Sequence, residues 1–136
     1  MLFDRIKIMK ILFIILVLLF SSSVFAEWTK IVTSEKGNSL YIDKPTLKIV
    51  GDIRFFLYMQ NYAKPTTYGD LSSRSYAELN CNSMMSRDLI KDYFSLPLAD
   101  GSTTEGSGEI NSPQWVYYAP DTTEGILHKE VCNIQK

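Results

Sequence analysis

Three residues of this chain have side chains whose type and spacing could support chemistry. Cys81 and Cys132 are the two cysteines, and His128 is the one histidine. His128 follows Glu124 by four residues, a spacing that puts both side chains on one face of a helix, as in some metal or acid–base pairs. No third ligand and no nucleophile motif accompanies them. We therefore interpret Glu124 and His128 as a solvated surface pair. We predict no catalytic residue, no metal and no cofactor.

The two cysteines are better explained by a structural disulfide. A redox or metal site would require a closely spaced CxxC pair or additional histidines, and neither is present. A bridge between Cys81 and Cys132 closes a loop of about 50 residues, which is worth about 4 kcal/mol in chain-entropy terms. Disulfides persist in the periplasm and outside cells. The sequence thus predicts a Cys81–Cys132 bridge in an exported protein.

The first 26 residues have the order of a secretory signal peptide. Basic residues precede the apolar run Ile11–Phe20, and a serine-containing segment follows and ends in Ala26. A helix needs about 20 apolar residues to cross a bilayer, so this run is short for a membrane span. We expect cleavage after Ala26, which makes 1–26 the signal peptide and 27–136 a single domain without a stable membrane span. An uncleaved membrane anchor is the alternative.

The composition of residues 27–136 excludes several classes of protein. This segment has the size of one domain, so a multi-domain enzyme does not fit. It carries eleven basic and fourteen acidic residues, a net charge of −3, which argues against nucleic acid as a partner. The predicted location is the periplasm, the cell surface or the medium.

Strand signals separated by turn residues fill most of this domain. Ile53–Tyr62 has the strongest strand pattern and is expected to be central, whereas Met84–Phe94 fits a helix or a strand, of which we favour the strand. The segment from Pro97 to Pro113 is rich in glycine, serine and threonine and is expected to be an exposed, mobile loop, where binding is common. The other predicted strands are Trp28–Thr33, Leu40–Asp43, a short one within Thr46–Val50, Ser73–Cys81 and Gln114–Ala119.

The chain is predicted to end in a helix. Asp121 could cap its start, with Glu124 three residues further on, as at many helix N-termini. Leu127 and Val131 repeat at four residues, and Cys132 lies beside them on the inward side. The expected fold class is α+β, an antiparallel β-sheet of about six strands packed against a C-terminal helix.

Tyrosine is the residue type that most suggests binding, because its ring is apolar and its hydroxyl stays hydrated. One interpretation is an aromatic protein-binding face built around Tyr58, Tyr62, Tyr76 and Tyr117. The other is that most tyrosines are simply half-buried on a twisted sheet, where aromatic residues are favoured. Both interpretations remain open from the sequence.

The pattern as a whole resembles the surface-adhesin protein E family of Gram-negative bacteria. The residues that carry the resemblance are Trp28-Thr-Lys-Ile-Val, Tyr41-Ile-Asp43, Ser75-Tyr76-Ala-Glu78-Leu-Asn-Cys81 and the closing Val131-Cys132. The resemblance implies an antiparallel sheet flanked by a C-terminal helix, with the cysteines bridged. It also implies an adhesin like the family's namesake, which binds host proteins such as laminin, vitronectin and plasminogen.

These observations predict an exported, non-enzymatic module that binds a protein ligand of the host or of the cell envelope. The namesake is an outer-membrane protein, but no cysteine for lipid attachment follows the expected cleavage site here. The alternative function is a periplasmic inhibitor or immunity protein that blocks a lytic enzyme.

Overall fold

The structure is a computed structural model that describes residues 2–19, 26–104 and 106–135. Two helices and nine strands occur in these ranges, and a 3-10 turn at Lys44–Thr46 follows the second strand. The elements in chain order are α1 (Leu2–Leu19), β1 (Trp28–Thr33), β2 (Ser39–Asp43), β3 (Lys48–Val50), β4 (Ile53–Asn61), β5 (Ser72–Asn80), β6 (Met85–Leu96), β7 (Asp100–Thr103), β8 (Gly108–Glu109), β9 (Val116–Tyr117) and α2 (Thr123–Asn133).

All nine described strands belong to one sheet, and every pairing between them is antiparallel. The main path has the order β1-β2-β4-β5-β6-β7, and the predicted hairpin of β1 and β2 is confirmed. Strand β4 lies inside the sheet between β2 and β5, as its pattern predicted. The α+β fold class is therefore confirmed, although the three short strands β3, β8 and β9 raise the strand count above six.

The prediction of an exposed loop from Pro97 to Pro113 was wrong in part. Strands β7 and β8 lie in this segment, and with β9 they pair successively along the outer edge of β6. The sequence did not reveal them because edge pairing uses backbone N–H and C=O groups, which glycine, serine and threonine offer as well as apolar residues do. Gly101, at a φ of 80°, takes the left-handed conformation where the chain turns back from β6.

The core lies between the sheet and α2. Phe56, Ala77 and Leu79 of the sheet pack with Leu127 and Val131 of the helix, and all five are at most 1% exposed. Leu127 and Val131 are thus the inward residues that the four-residue repeat predicted. Their burial, not the intrinsic preference of a short helix, holds α2 in place.

The start of α2 differs from the prediction by one residue. Thr122, not Asp121, is the N-cap, and its hydroxyl accepts a hydrogen bond of 3.1 Å from the backbone N–H of Gly125. The same hydroxyl donates to the carbonyl oxygen of Ala119 at 2.6 Å. Thr122 therefore joins the helix to the preceding turn through both bonds.

The Cys81–Cys132 disulfide is confirmed. It joins the residue after β5 to α2, across a sequence separation of 51 residues. The bridge fixes the end of the helix over one end of the sheet.

Helix α1 contains most of the predicted signal segment, whereas residues 20–25, just before the expected cleavage site, lie outside the described residues. Neither helix in the described ranges combines the length and apolar content needed to cross a membrane.

Candidate binding surfaces

The four tyrosines predicted for one binding face lie on both faces of the sheet. Cross-strand pairing puts Tyr58 and Tyr62 on the face that carries α2. Tyr76 and Tyr117 lie on the opposite face, where the Tyr76 ring stacks on Phe55 with centroids 6.2 Å apart. The structure thus brings these tyrosines together as two pairs, not as one face. Their role in binding stays a prediction.

The sheet face opposite α2 is called the open face below, and Tyr117, Trp115 and Arg87 lie together on it where β9 pairs with β6. The Arg87 guanidinium lies 4.5 Å from the centroid of the Trp115 ring and makes a 3.1 Å ion pair with Glu78. Such cation–π contacts are worth about 0.5–1 kcal/mol at exposed sites. Tyr117 is 56% exposed and Trp115 is 39% exposed. Both rings are therefore available for contact.

Other cations and rings alternate along the open face. The Lys30 ammonium lies 5.6 Å from the centroid of the Tyr41 ring, and the Arg74 guanidinium lies 5.2 Å from that of Phe94. Arg74 also forms a 3.3 Å ion pair with Asp92. Tyrosine, tryptophan and arginine are the residues most enriched at the energetic centres of protein interfaces.

Sequence reasoning did not find the Arg87–Trp115 contact. The two residues are 28 positions apart, and no short spacing joins them. The alternation within β6 could at most have assigned Arg87 to one face of a strand. Which ring lies under it depends on how the β9 segment pairs with β6.

The face that carries α2 holds a small pocket between the helix, β6 and the β9 segment, with both polar and apolar side chains in its lining. Its volume is about 170 Å³, and Tyr58, Asp88, Tyr118, Glu124 and His128 are among its lining residues. The Tyr58 hydroxyl is 2.9 Å from each carboxyl oxygen of Asp88, to which it donates a hydrogen bond. Sequence reasoning did not single out Asp88, because its partner is 30 residues away.

Burial controls the protonation of this pair. It raises the pKa of Tyr58 well above its usual value, and the neighbouring charge of Asp88 raises it further. Burial also raises the pKa of Asp88, although the hydrogen bond from Tyr58 offsets part of this change. The Tyr58 hydroxyl therefore stays protonated and acts as a donor that holds the carboxyl group in place, not as a nucleophile.

The interpretation of Glu124 and His128 as a solvated surface pair was wrong. His128 is only 4% exposed, and its ring contacts the rings of Tyr118 and Phe56 edge-on, at centroid distances of 5.6 and 6.4 Å. Burial lowers the pKa of His128 to about 4, against the attraction of Glu124. Its Nδ1 atom is buried and has no hydrogen-bond partner among the described residues. His128 is therefore a neutral imidazole in the core.

Across the described ranges, no group of three or more histidine, cysteine, aspartate or glutamate side chains is placed to hold a metal ion. The cysteines are used by the disulfide. The open face carries exposed rings and cations, and the pocket on the other face carries hydrogen-bonding side chains.

Comparison with known proteins identifies the family. The family model described as surface-adhesin protein E matches residues 28–133, which is well over half of the chain. The chain belongs to the surface-adhesin protein E family. The match begins two residues after the expected cleavage site and ends with the last residue of α2. The resemblance inferred from the sequence is thereby confirmed.

Solved structures of Haemophilus influenzae protein E share the fold. One is 18% identical, with a TM-score of 0.61, and the match covers 81% of this chain and 86% of that one. The selenomethionine form is 19% identical, with a TM-score of 0.62 and coverages of 81% and 88%. A structure from a non-typeable strain is 19% identical, with a TM-score of 0.55 and coverages of 82% and 78%. No curated protein sequence matches the chain.

Proposed function

We propose that this protein is an exported, non-enzymatic adhesin-like module that binds a protein of the host or of the cell envelope through its open face. The observation that carries the proposal is the family match over residues 28–133. The inhibitor or immunity function stays a prediction that the same binding assays can address.

The open face supports this proposal by its composition and exposure. The exposed rings of Trp115 and Tyr117 offer apolar area that loses little conformational freedom on binding. The Arg87 side chain is held between Trp115 and Glu78, so its orientation is set before a partner arrives. Preorganised aromatic and arginine side chains lower the entropic cost of association.

Binding to laminin, vitronectin and plasminogen, the ligands that the family resemblance implies, is the direct test. The purified protein is passed over each immobilised ligand, and the double variant Trp115→Ala/Tyr117→Ala is measured beside it. We expect the double variant to bind at least about tenfold more weakly, since two interface aromatics commonly contribute well over 1 kcal/mol.

Tyr68→Ala is the matched control, because Tyr68 is 88% exposed and its side chain lies away from the open face. Its binding should equal that of the unmodified protein. Equal binding by the double variant and the unmodified protein would refute the role of the open face. Absence of binding to every host ligand, with inhibition of a cell-wall hydrolase by the same preparation, would favour the alternative function.

Export is the second part of the proposal. It is supported by the charged and apolar order of residues 1–26 and by a disulfide that suits an oxidising compartment. Mass spectrometry of the protein recovered from the cell envelope or the medium of its natural producer should give a chain that begins at Glu27. A chain that keeps the apolar run Ile11–Phe20 would instead indicate a retained anchor.

A further inference from the structure

The start of β1 lies against a buried carboxyl group. Asp43, the last residue of β2, is only 3% exposed. The backbone N–H of Glu27 donates a hydrogen bond of 3.2 Å to the Asp43 Oδ1 atom, across a sequence separation of 16 residues. Glu27 directly follows the expected cleavage site after Ala26. The nitrogen atom that cleavage would convert into the terminal amine is therefore the one that contacts Asp43.

Strand pairing holds this contact in place. Trp28, the first residue of β1, pairs with Asp43, and Thr29 pairs with Ile42. Ile42 is fully buried in the core, so the register of this hairpin is fixed by burial. Few backbone dihedrals separate the Glu27 nitrogen atom from Trp28, which the sheet already positions. The nitrogen atom would therefore stay beside the carboxyl group after the preceding chain is removed.

Asp43 has no basic side chain as its partner. Among the described residues, no lysine or arginine forms an ion pair with it. Lys30 of β1 lies instead over the Tyr41 ring, with its ammonium group 5.6 Å from the ring centroid. Removing a carboxylate from water costs free energy unless a cation or hydrogen bonds compensate for it. A terminal ammonium group on Glu27 would supply that cation.

We infer that removal of residues 1–26 creates an ion pair between the α-ammonium group of Glu27 and the Asp43 carboxylate, which fastens β1 to β2. A signal peptidase would hydrolyse the Ala26–Glu27 peptide bond, so that water supplies the new carboxyl oxygen of Ala26 and a proton for the Glu27 nitrogen. The new amine is protonated at neutral pH. Charge-assisted hydrogen bonds are roughly twice as strong as neutral ones, so the same contact becomes stronger.

The ion pair gives the exported form a constraint that its precursor lacks. Strand β1 is at one end of the main path of the sheet, and chain ends at such positions fray unless they are tied down. The disulfide likewise forms in an oxidising compartment and not in the cytosol. Both constraints would therefore act only after export. The inference rests on the export part of the proposed function.

The test compares three forms of the domain that differ only at the start of the chain. One begins at Glu27 with a free amine, the second is the same chain acetylated on that amine, and the third keeps Ala26. Residues 27–136 include the whole sheet, α2, the core cluster and the disulfide, so each form folds without α1. Each terminus is defined in advance, so the result does not depend on cleavage in the producing cell. Mass spectrometry of the native protein tests that cleavage separately.

The acetylated form is the decisive comparison, because it keeps a neutral N–H on Glu27 and lacks only the charge. In urea at neutral pH, we expect the unfolding equilibrium constant of the free-amine form to be about fivefold smaller than that of the acetylated form. The form that keeps Ala26 should resemble the acetylated form, because its ammonium group is one residue further from Asp43. Asp43→Asn should remove the difference, whereas Asp52→Asn, at an exposed position, should preserve it.

A second measurement keeps the test decisive if Asp43→Asn does not fold. In carbon-13 NMR of the unsubstituted chain, acetylation should shift the carboxyl signal of Asp43 and leave that of Asp52 in place. Equal stability of the free-amine and acetylated forms would overturn the inference. So would a difference that persists in Asp43→Asn, or an Asp43 signal that does not respond to acetylation.

Discussion

Acidification should destabilise the protein through His128. The unfolded chain takes up a proton on this imidazole near its ordinary pKa of 6.5, whereas burial delays the uptake in the folded protein to about 4. Between these values the unfolded state binds more protons, so the free energy of unfolding falls as the pH falls. A pKa difference of about 2.5 corresponds to a loss of about 3 kcal/mol, complete below about pH 4.

The perturbation that isolates this effect is His128→Gln, which fills much of the same space but does not titrate. The free energy of unfolding of both proteins is measured in urea from pH 7 to pH 3.5. The difference between the two free energies is then plotted against pH. The raised pKa of Asp88 has the opposite sign, since the folded protein then binds its proton first and gains stability as the pH falls. Asp88 is present in both proteins, so its effect cancels to first order in the difference.

Between pH 7 and pH 4, we expect the free energy of unfolding of the unmodified protein to fall by about 3 kcal/mol relative to that of His128→Gln. Below pH 4 this difference should no longer change with pH. Proton NMR provides a direct check, because a chain with one histidine gives one pair of imidazole signals. A difference that does not change with pH, or an imidazole that titrates near 6.5, would refute the argument that His128 is buried and neutral.

Three further predictions concern stability and use denaturant unfolding at pH 7. Replacing both Cys81 and Cys132 by serine should cost about 4 kcal/mol, because the bridge closes a loop across 51 residues. Gly125→Ala should cost about 2 kcal/mol, since a Cβ atom there would overlap the carbonyl oxygen of Ala119. Phe56→Ala should cost about 3–5 kcal/mol, because this ring is fully buried between the sheet and α2.

Each of these has a clear contrary result. If the double serine variant is as stable as the oxidised parent, the disulfide adds nothing to the free energy of unfolding. Glu130→Ala, at an exposed position of α2, is the control for Gly125→Ala. Gly125→Ala should lower the free energy of unfolding clearly more than this control does. A loss below 1 kcal/mol for Phe56→Ala would place that ring outside the core.

Much of the fold follows from local pattern. The alternation in β5 and the four-residue repeat in α2 each show which side of the element is buried, whereas β1 and β2 follow from strand-prone runs on either side of a turn. Two cysteines permit only one bridge, and the signal-like first 26 residues predict an oxidising compartment, so the disulfide could be predicted without coordinates. Strands β7 and β8 could not, because backbone pairing along the edge of β6 places few demands on side chains.

The candidate sites were much less predictable. Tyr58 and Tyr76 lie on neighbouring strands that pair with each other, yet the two side chains are on opposite faces of the sheet. Only the register between the strands shows what each one contacts. His128 and Glu124 have the spacing of a surface pair, but the packing of α2 against Phe56 buries the imidazole.

The sequence by itself determined the antiparallel sheet with its C-terminal helix, the disulfide and the resemblance to the adhesin family, since these depend on residue order and periodicity. It also predicts the export signal, which stays a prediction. Only the tertiary structure decided which rings and charges meet: Arg87 with Trp115, Tyr58 with Asp88, and His128 with Tyr118. The physical reason is that contacts between residues far apart in the chain depend on strand register and on which face α2 covers, and neither is written in any short segment.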